Sequence, residues 1–214
     1  LVILFIAKMK YPHPDQFESQ GRSKGFRSNK AFALYMIAIM LIALGFIDYP
    51  VLAYHIGANT TIDAIYIPLL YSLAMGIDAI AALLFGHYFD KKGILSLIIS
   101  VFISTLITPV FFLVNNTLGI ILGVILWGVG MGAQESILKA VISVMVSKDK
   151  RATAYGIFYT VFGSAWFLGS VVVGWLYSMN IIYVVVFTVS MELLAAIFLM
   201  IYRKKIVTSS LNDV

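Results

Sequence analysis

The chain has 214 residues, 61% of them hydrophobic and 12% charged, with a formal net charge of +5 and a mean hydropathy of +0.98. A soluble domain carries about 25% charged residues, so this composition excludes an ordinary water-soluble globule and indicates an integral membrane protein. Cysteine is absent, which excludes disulfides and thiolate metal sites.

In chain order, residues 1–7 are apolar but too few to cross a bilayer, which takes about 20 helical residues. Basic residues follow this run rather than precede it, unlike a signal peptide. The run is expected to be the tail of a truncated transmembrane helix. Residues 8–30 contain Pro12, Pro14, Gly21 and Gly25 and are rich in basic side chains, so they read as a solvated linker.

Six apolar runs come next, at 31–54, 62–88, 94–114, 117–147, 152–177 and 181–202. Each is too long for a barrel strand, which needs about 9–11 residues. The expected fold is therefore all-α, a six-helix transmembrane bundle over 31–205 with a tail at 206–214.

The basic residues sort by side. Lys8, Lys10, Arg22, Lys24, Arg27 and Lys30 precede the first run, and Lys91 and Lys92 join the second to the third. Lys148, Lys150 and Arg151 join the fourth to the fifth, and Arg203, Lys204 and Lys205 follow the sixth. The alternate links carry no Lys or Arg, and only Lys139 lies inside a run. This positive-inside pattern places the linker, the two basic turns and the C-terminus in the cytoplasm of a multi-pass protein, taken to be in the plasma membrane.

The link after the second run reads Gly86-His87-Tyr88-Phe89-Asp90-Lys91-Lys92-Gly93. Lys91 and Lys92 suit the negative end of a helix, whereas Asp90 does not and calls for a partner, either a cation such as Arg151 or a neighbouring helix N-terminus. Gly93 suits a left-handed position after the helix, and Gly86 permits close approach of another helix. Taken alone, the stretch is also compatible with a plain tight turn.

Gly86, Asp90, Lys91 and Gly93 nonetheless resemble the cytoplasmic-loop signature of the major facilitator superfamily, Gly-x3-Asp-Arg/Lys-x-Gly. Ile94 and Leu95 stand where the family carries further basic residues. Gly128, Gly130, Gly132 and Glu135, followed by Arg151-Ala152-Thr153-Ala154-Tyr155-Gly156, are similar to the family's tenth helix and the start of its eleventh. The resemblance implies the C-terminal six-helix half of a major-facilitator fold, the seventh to twelfth helices, preceded by the central loop. It also implies a missing N-terminal half as partner, to which Asp90 would bridge.

Charges inside the runs are functional candidates, because each costs about 2.5–3.5 kcal/mol on insertion scales. They are Asp48, Asp78, Glu135, Lys139 and Glu192. Glu135 and Lys139 stand four apart in the order that favours an intrahelical pair, and a bland self-neutralised pair is as well supported as a substrate site. Asp78 is expected at a depth similar to Lys139 and is a further partner for it.

Pro50 is expected to bend the first run near Asp48. His55 is expected in a loop, and Asp63 in the first turn of the second run. Glu192 is read as a neutral structural carboxyl. Trp127 and Met131 lie on the Glu135–Lys139 stripe, beside a strip of small residues formed by Gly128, Gly132, Ser136 and Ala140. Tyr71, Tyr159 and Trp166 are further cavity-lining candidates, although membrane aromatics more often only pack.

The composite expectation is a secondary active transporter moving a small-molecule substrate by alternating access, most simply with H⁺. Membrane lipid is the other partner, with no nucleic acid, no cofactor and no metal. The competing readings are a channel subunit or scaffold and, with less support, an intramembrane enzyme. No paired Ser/His, metal-spaced or phosphate-loop pattern lies within the runs.

Overall fold

The computed structural model describes residues 30–59, 62–114 and 116–208. The expected helix tail at 1–7, nearly all of the linker and the end of the C-terminal tail lie outside the described residues. Those that are described form helices α1 (Lys30–Gly45), α2 (Tyr49–Asn59), α3 (Ile67–Lys92), α4 (Ile94–Ser104), α5 (Ile107–Leu113), α6 (Thr117–Met145), α7 (Arg151–Met179) and α8 (Ile181–Thr208). Two single 3₁₀ turns, Ala64–Tyr66 and Lys148–Lys150, lead into α3 and α7.

These helices make six spans long and apolar enough to cross a membrane, with α1 and α2 in the first and α4 and α5 in the third. The links are short, so successive spans alternate in direction. Lys30, Lys91, Lys92, Lys148, Lys150, Arg151 and the Arg203-Lys204-Lys205 cluster thus fall at one end of the bundle.

Two spans are broken, and the breaks have different causes. In the third, Pro109 has no N–H to offer the carbonyl of Thr105, and its ring crowds that carbonyl. The chain turns at Thr105 and Leu106 before resuming as α5. The run expected at 94–114 is therefore two helices.

In the first span the break falls at residues 46–48, ahead of the proline. Pro50 is the second residue of α2, a position whose N–H is unused in any helix. The expected bend is present, but Pro50 starts the second helix instead of ending the first. The helix then continues to Asn59, so His55 is helical and not in a loop. Asp63 accepts from the Ile65 amide at 3.1 Å and caps the 3₁₀ turn rather than sitting in the first turn of α3.

α3 and α6 touch backbone to backbone. A methyl on Gly128 would come within 2.5 Å of the Ala74 carbonyl oxygen, and one on Gly132 would overlap the Asp78 carbonyl. Lipid offers no hydrophobic gain for helix association, so this close van der Waals contact is what binds the pair. The small strip read from the sequence is the α3 contact. α1, α4 and α6 supply most of the buried interior, whereas α3 and α7 are largely exposed.

The interior has two clusters. Tyr35, Ile39, Ile42, Leu97, Ile137 and Leu199 belong to one, and Phe46, Leu52, Phe111, Val124, Trp127 and Val184 to the other. Tyr35 is fully buried and donates its hydroxyl to the Leu138 carbonyl at 2.9 Å, tying α1 to α6.

Candidate functional site

The break between α1 and α2 frees backbone carbonyls inside the membrane, where an unpaired group is costly. One of them is answered directly: the Trp127 indole N–H, from α6, donates to the Ile47 carbonyl at 2.8 Å. The Val51 amide takes the Asp48 carbonyl at 3.1 Å. The broken segment is thereby held in a defined shape, and Asp48 is left half-buried at its lip.

A cavity of about 630 Å³ opens beside this break. Asp48, Tyr49, Pro50 and Ala53 line it from the first span, Tyr71, Met75 and Asp78 from α3, Trp127, Met131 and Glu135 from α6, and Trp166 from α7. Of the nine cavity and coupling candidates read from the sequence, this cavity collects Asp48, Asp78, Glu135, Tyr71, Trp127, Met131 and Trp166. Asp78 and Glu135 stand on touching helices and line the same cavity. Oδ1 of Asp78 is buried without a hydrogen-bond partner among the described residues.

The wall is aromatic. Tyr49 packs on Tyr71 with centroids 4.7 Å apart and edge-on to Trp127 at 5.2 Å. Phe46 packs between Trp127 at 6.1 Å and Trp166 at 5.8 Å. Phe46 and Tyr49 were not candidates from the sequence. Their signal was adjacency to Pro50 and Asp48, which becomes visible only once the break is located.

The two remaining candidates lie in a second, smaller cavity of about 110 Å³. Lys139 and Tyr159 line it with Gln134, Leu138, Phe158 and Phe162, while Met131, Glu135 and Trp166 form the wall common to both cavities. Among the described residues neither expected ion pair of Lys139 is made: Asp78 lines only the larger cavity, and Glu135, though it shares the smaller one, is not within salt-bridge distance. Spacing by four lets two side chains meet, but here Glu135 also faces the larger cavity and Lys139 only the smaller one. The hydroxyl of Tyr155 donates to the backbone carbonyl of Lys139 at 3.2 Å, joining α7 to α6 below this cavity.

The loop stretch behaves partly as read. Gly93 has φ +56° and ψ −136°, a combination open in practice to glycine. Its amide closes α3 on Phe89 at 2.7 Å, and its carbonyl receives the Ser96 amide at 3.0 Å at the start of α4. A methyl on Gly86 would lie 3.0 Å from the Ser136 hydroxyl, so the close approach to α6 is present.

Arg151 is not the partner of Asp90. Its guanidinium donates to the carbonyls of Ser143 at 2.6 Å and Val146 at 3.2 Å, where it closes the C-terminus of α6. A helix end presents unpaired carbonyls that a planar fork satisfies well, and Arg151 follows that end by one short turn. Asp90 and Lys91 are exposed at the basic end of the bundle. Among the described residues the Asp90 side chain has neither hydrogen bond nor ion pair.

Two further groups are placed by the structure. His55 Nδ1 and the Tyr177 hydroxyl share a 2.9 Å hydrogen bond, with the imidazole edge-on to Phe112 at 4.9 Å. Glu192 is 2% exposed, inside the bundle and not on its lipid face.

Six apolar spans among the described residues make a multi-pass membrane protein, and the bundle holds a carboxylate-lined, aromatic-walled cavity beside a broken helix. The sequence model of the Major Facilitator Superfamily matches residues 31–213, and the chain belongs to that superfamily, one of membrane transporters. It is 29% identical over 210 residues to an uncharacterized protein of Mycobacterium bovis, and equally so to uncharacterized proteins from two strains of Mycobacterium tuberculosis. The aligned region covers 95% of this chain and 51% of each relative, so the chain spans about half the length of the curated relatives it matches.

Proposed function

We propose that the chain is the C-terminal six-helix half of a secondary transporter, which moves a small solute through the cavity beside the α1–α2 break by alternating access. The observation that carries this reading is the convergence of Asp48, Asp78 and Glu135 on one cavity of about 630 Å³. Carboxylates inside a membrane span are expensive, and three of them around one cavity serve no packing purpose. The matched relatives are about twice as long as this chain, which fits a second bundle on the other side of the cavity. Transporters place their sites near the midplane between two such bundles, often at a discontinuous helix.

In this reading Asp78 and Glu135 are the proton-coupling pair. Both line the cavity from helices in backbone contact, and in this reading the pair carries one proton. Solute binding or a change of access then releases or admits that proton. Tyr49, Tyr71, Trp127 and Trp166 supply flat apolar walls, and Asp48 sits at the mouth. Lys139 is the cation of the smaller compartment. The basic end of the bundle faces the cytoplasm of a cell whose plasma membrane holds the protein.

The test uses the full-length protein in proteoliposomes carrying a proton gradient, offered organic acids, sugars, amino acids and amphiphilic cations in turn. Gradient-driven uptake of one class is expected, with the gradient dependence lost in Asp78→Asn. Uptake that ignores the gradient in the unmodified protein contradicts proton coupling. Passive flux that saturates with none of these solutes favours a channel.

A further inference from the structure

Behind the cavity, on the side away from α3, the bundle buries a file of polar side chains. Ser100, Ser104 and Thr108 follow one another along α4 and α5, and Thr188 and Glu192 stand one turn apart on α8. The Thr108 and Thr188 hydroxyls share a 2.7 Å hydrogen bond. Gln134 donates from Nε2 to the Ser104 hydroxyl at 3.4 Å, and its side chain also lines the smaller cavity. The file therefore runs from a cavity wall to Glu192.

Among the described residues Glu192 has no counterpart for its charge. Both carboxyl oxygens are buried without a hydrogen-bond partner, and so is Oε1 of Gln134. The helices packed on α8 are α1, α4, α5 and α7. α4 and α5 carry no titratable side chain. α1 carries Lys30 and Tyr35, and Lys30 lies fifteen residues before Gly45, about 22 Å along the helix. Tyr35 is engaged with Leu138, and on α7 Arg151, Tyr155 and Tyr177 are engaged with α6 carbonyls and His55. Tyr159, also on α7, is exposed. On α8 itself, Tyr183 is exposed and Tyr202 with the Arg203-Lys204-Lys205 cluster stands at the basic end. A buried carboxyl without a cation holds a proton rather than a charge.

What seals it is specific. Gly45, the last residue of α1 before the break, lies against α8 so closely that a methyl there would come within 3.2 Å of Glu192 Cγ and 2.7 Å of Met191 Cβ. Asp48 of the cavity is three residues further along the same break. The segment that shapes the cavity mouth is thus continuous with the lid over Glu192.

We infer that Glu192 is a proton-binding site of its own, separate from the carboxylates of the cavity, sealed by Gly45 and uncovered when the α1–α2 break moves. Sealed, the carboxyl keeps its proton. When the break shifts, water reaches it along the Thr188, Thr108 and Ser104 file, and the proton leaves by way of the Gln134 wall. The site deepens the transporter reading by adding a proton store coupled to the hinge, but its existence does not depend on the solute.

The experiment is infrared spectroscopy of the full-length protein in lipid, followed through a pH titration. At neutral pH a protonated-carboxyl carbonyl band is expected that Glu192→Gln removes while Asp78→Asn leaves it in place. Gly45→Ala, which forces α8 away, should make that band disappear at lower pH than in the unmodified protein. If Glu192→Gln does not accumulate, Glu135→Gln protein made with carboxyl-labelled glutamate must show an isotope-shifted protonated band at neutral pH that Gly45→Ala moves to lower pH. Absence of that band, or no change in Glu192→Gln, overturns the inference. A band present in choline chloride and absent in sodium chloride also overturns it, in favour of a sodium site. Loss of proton-driven uptake in Asp78→Asn bears on the cavity reading alone, so the two failures are distinguishable.

Discussion

Trp127 and Ile47 stand 80 residues apart in the sequence and are joined by a 2.8 Å hydrogen bond, from indole N–H to backbone carbonyl. The bond satisfies a carbonyl that the broken first span leaves without a helical partner. It also fixes the indole where Tyr49 and Phe46 can pack on it. One side chain of α6 thereby sets both the shape of the break and a wall of the cavity.

Trp127→Phe keeps an aromatic ring in place but removes the donor, together with the extra volume of the buried indole. The Ile47 carbonyl is then buried and unpaired, at a cost of about 1–3 kcal/mol. A lower midpoint of thermal unfolding in detergent is expected for the full-length protein. An unchanged midpoint means that the carbonyl has another partner.

The α3–α6 contact predicts a sharp contrast between two glycines. Gly132→Ala drives a methyl into the Asp78 carbonyl, and overpacking of this kind costs about 1–3 kcal/mol. Gly57→Ala meets only Ile67 Cδ1 at 3.6 Å, an ordinary contact, and gains helix propensity of up to about 1 kcal/mol. Thermal stability should fall in the first variant and hold or rise in the second. Gly132→Ala should also disturb the cavity, because Asp78 sits on the displaced segment.

Much of this architecture is legible from residues alone, and the reasons differ by feature. Span number and alternation follow from length and charge, which act through the bilayer and need no tertiary contact. The Gly128 and Gly132 strip is legible because i+4 spacing is a property of the helix itself. The break at Thr105 was hidden although Pro109 is in plain view, since an apolar run does not show where a helix is interrupted. Pro50 was misplaced for the opposite reason, because a proline suits the first turn of a helix as well as it ends one.

The site divides in the same way. Asp48, Asp78 and Glu135 stood out because charge inside a span is costly anywhere. Lys139 was assigned the wrong neighbours because spacing by four says which side chains can meet, and cavity shape decides which do. Ser104 with Gln134, and Thr108 with Thr188, lie 30 and 80 residues apart, and no local pattern announces such pairs.

Arg151→Lys tests the helix closure that displaced the expected Asp90 bridge. An ammonium reaches one carbonyl where the guanidinium holds both Ser143 and Val146. The loss should be about 1 kcal/mol. Faster amide hydrogen exchange over residues 143–147 is the reading to look for, with Asp90→Asn leaving that segment unchanged. Slowed exchange in Asp90→Asn contradicts the assignment.

The central claim, that the cavity beside the α1–α2 break is the solute path, is tested most directly by sided labelling. This chain contains no cysteine, so a single Tyr71→Cys can be placed in a full-length protein freed of any other cysteine. Membrane-impermeant thiol reagents are then applied to right-side-out and inside-out vesicles. Alternating access predicts labelling from both sides, with an applied proton gradient shifting the balance between them. Labelling from one side only, whatever the gradient, contradicts the account.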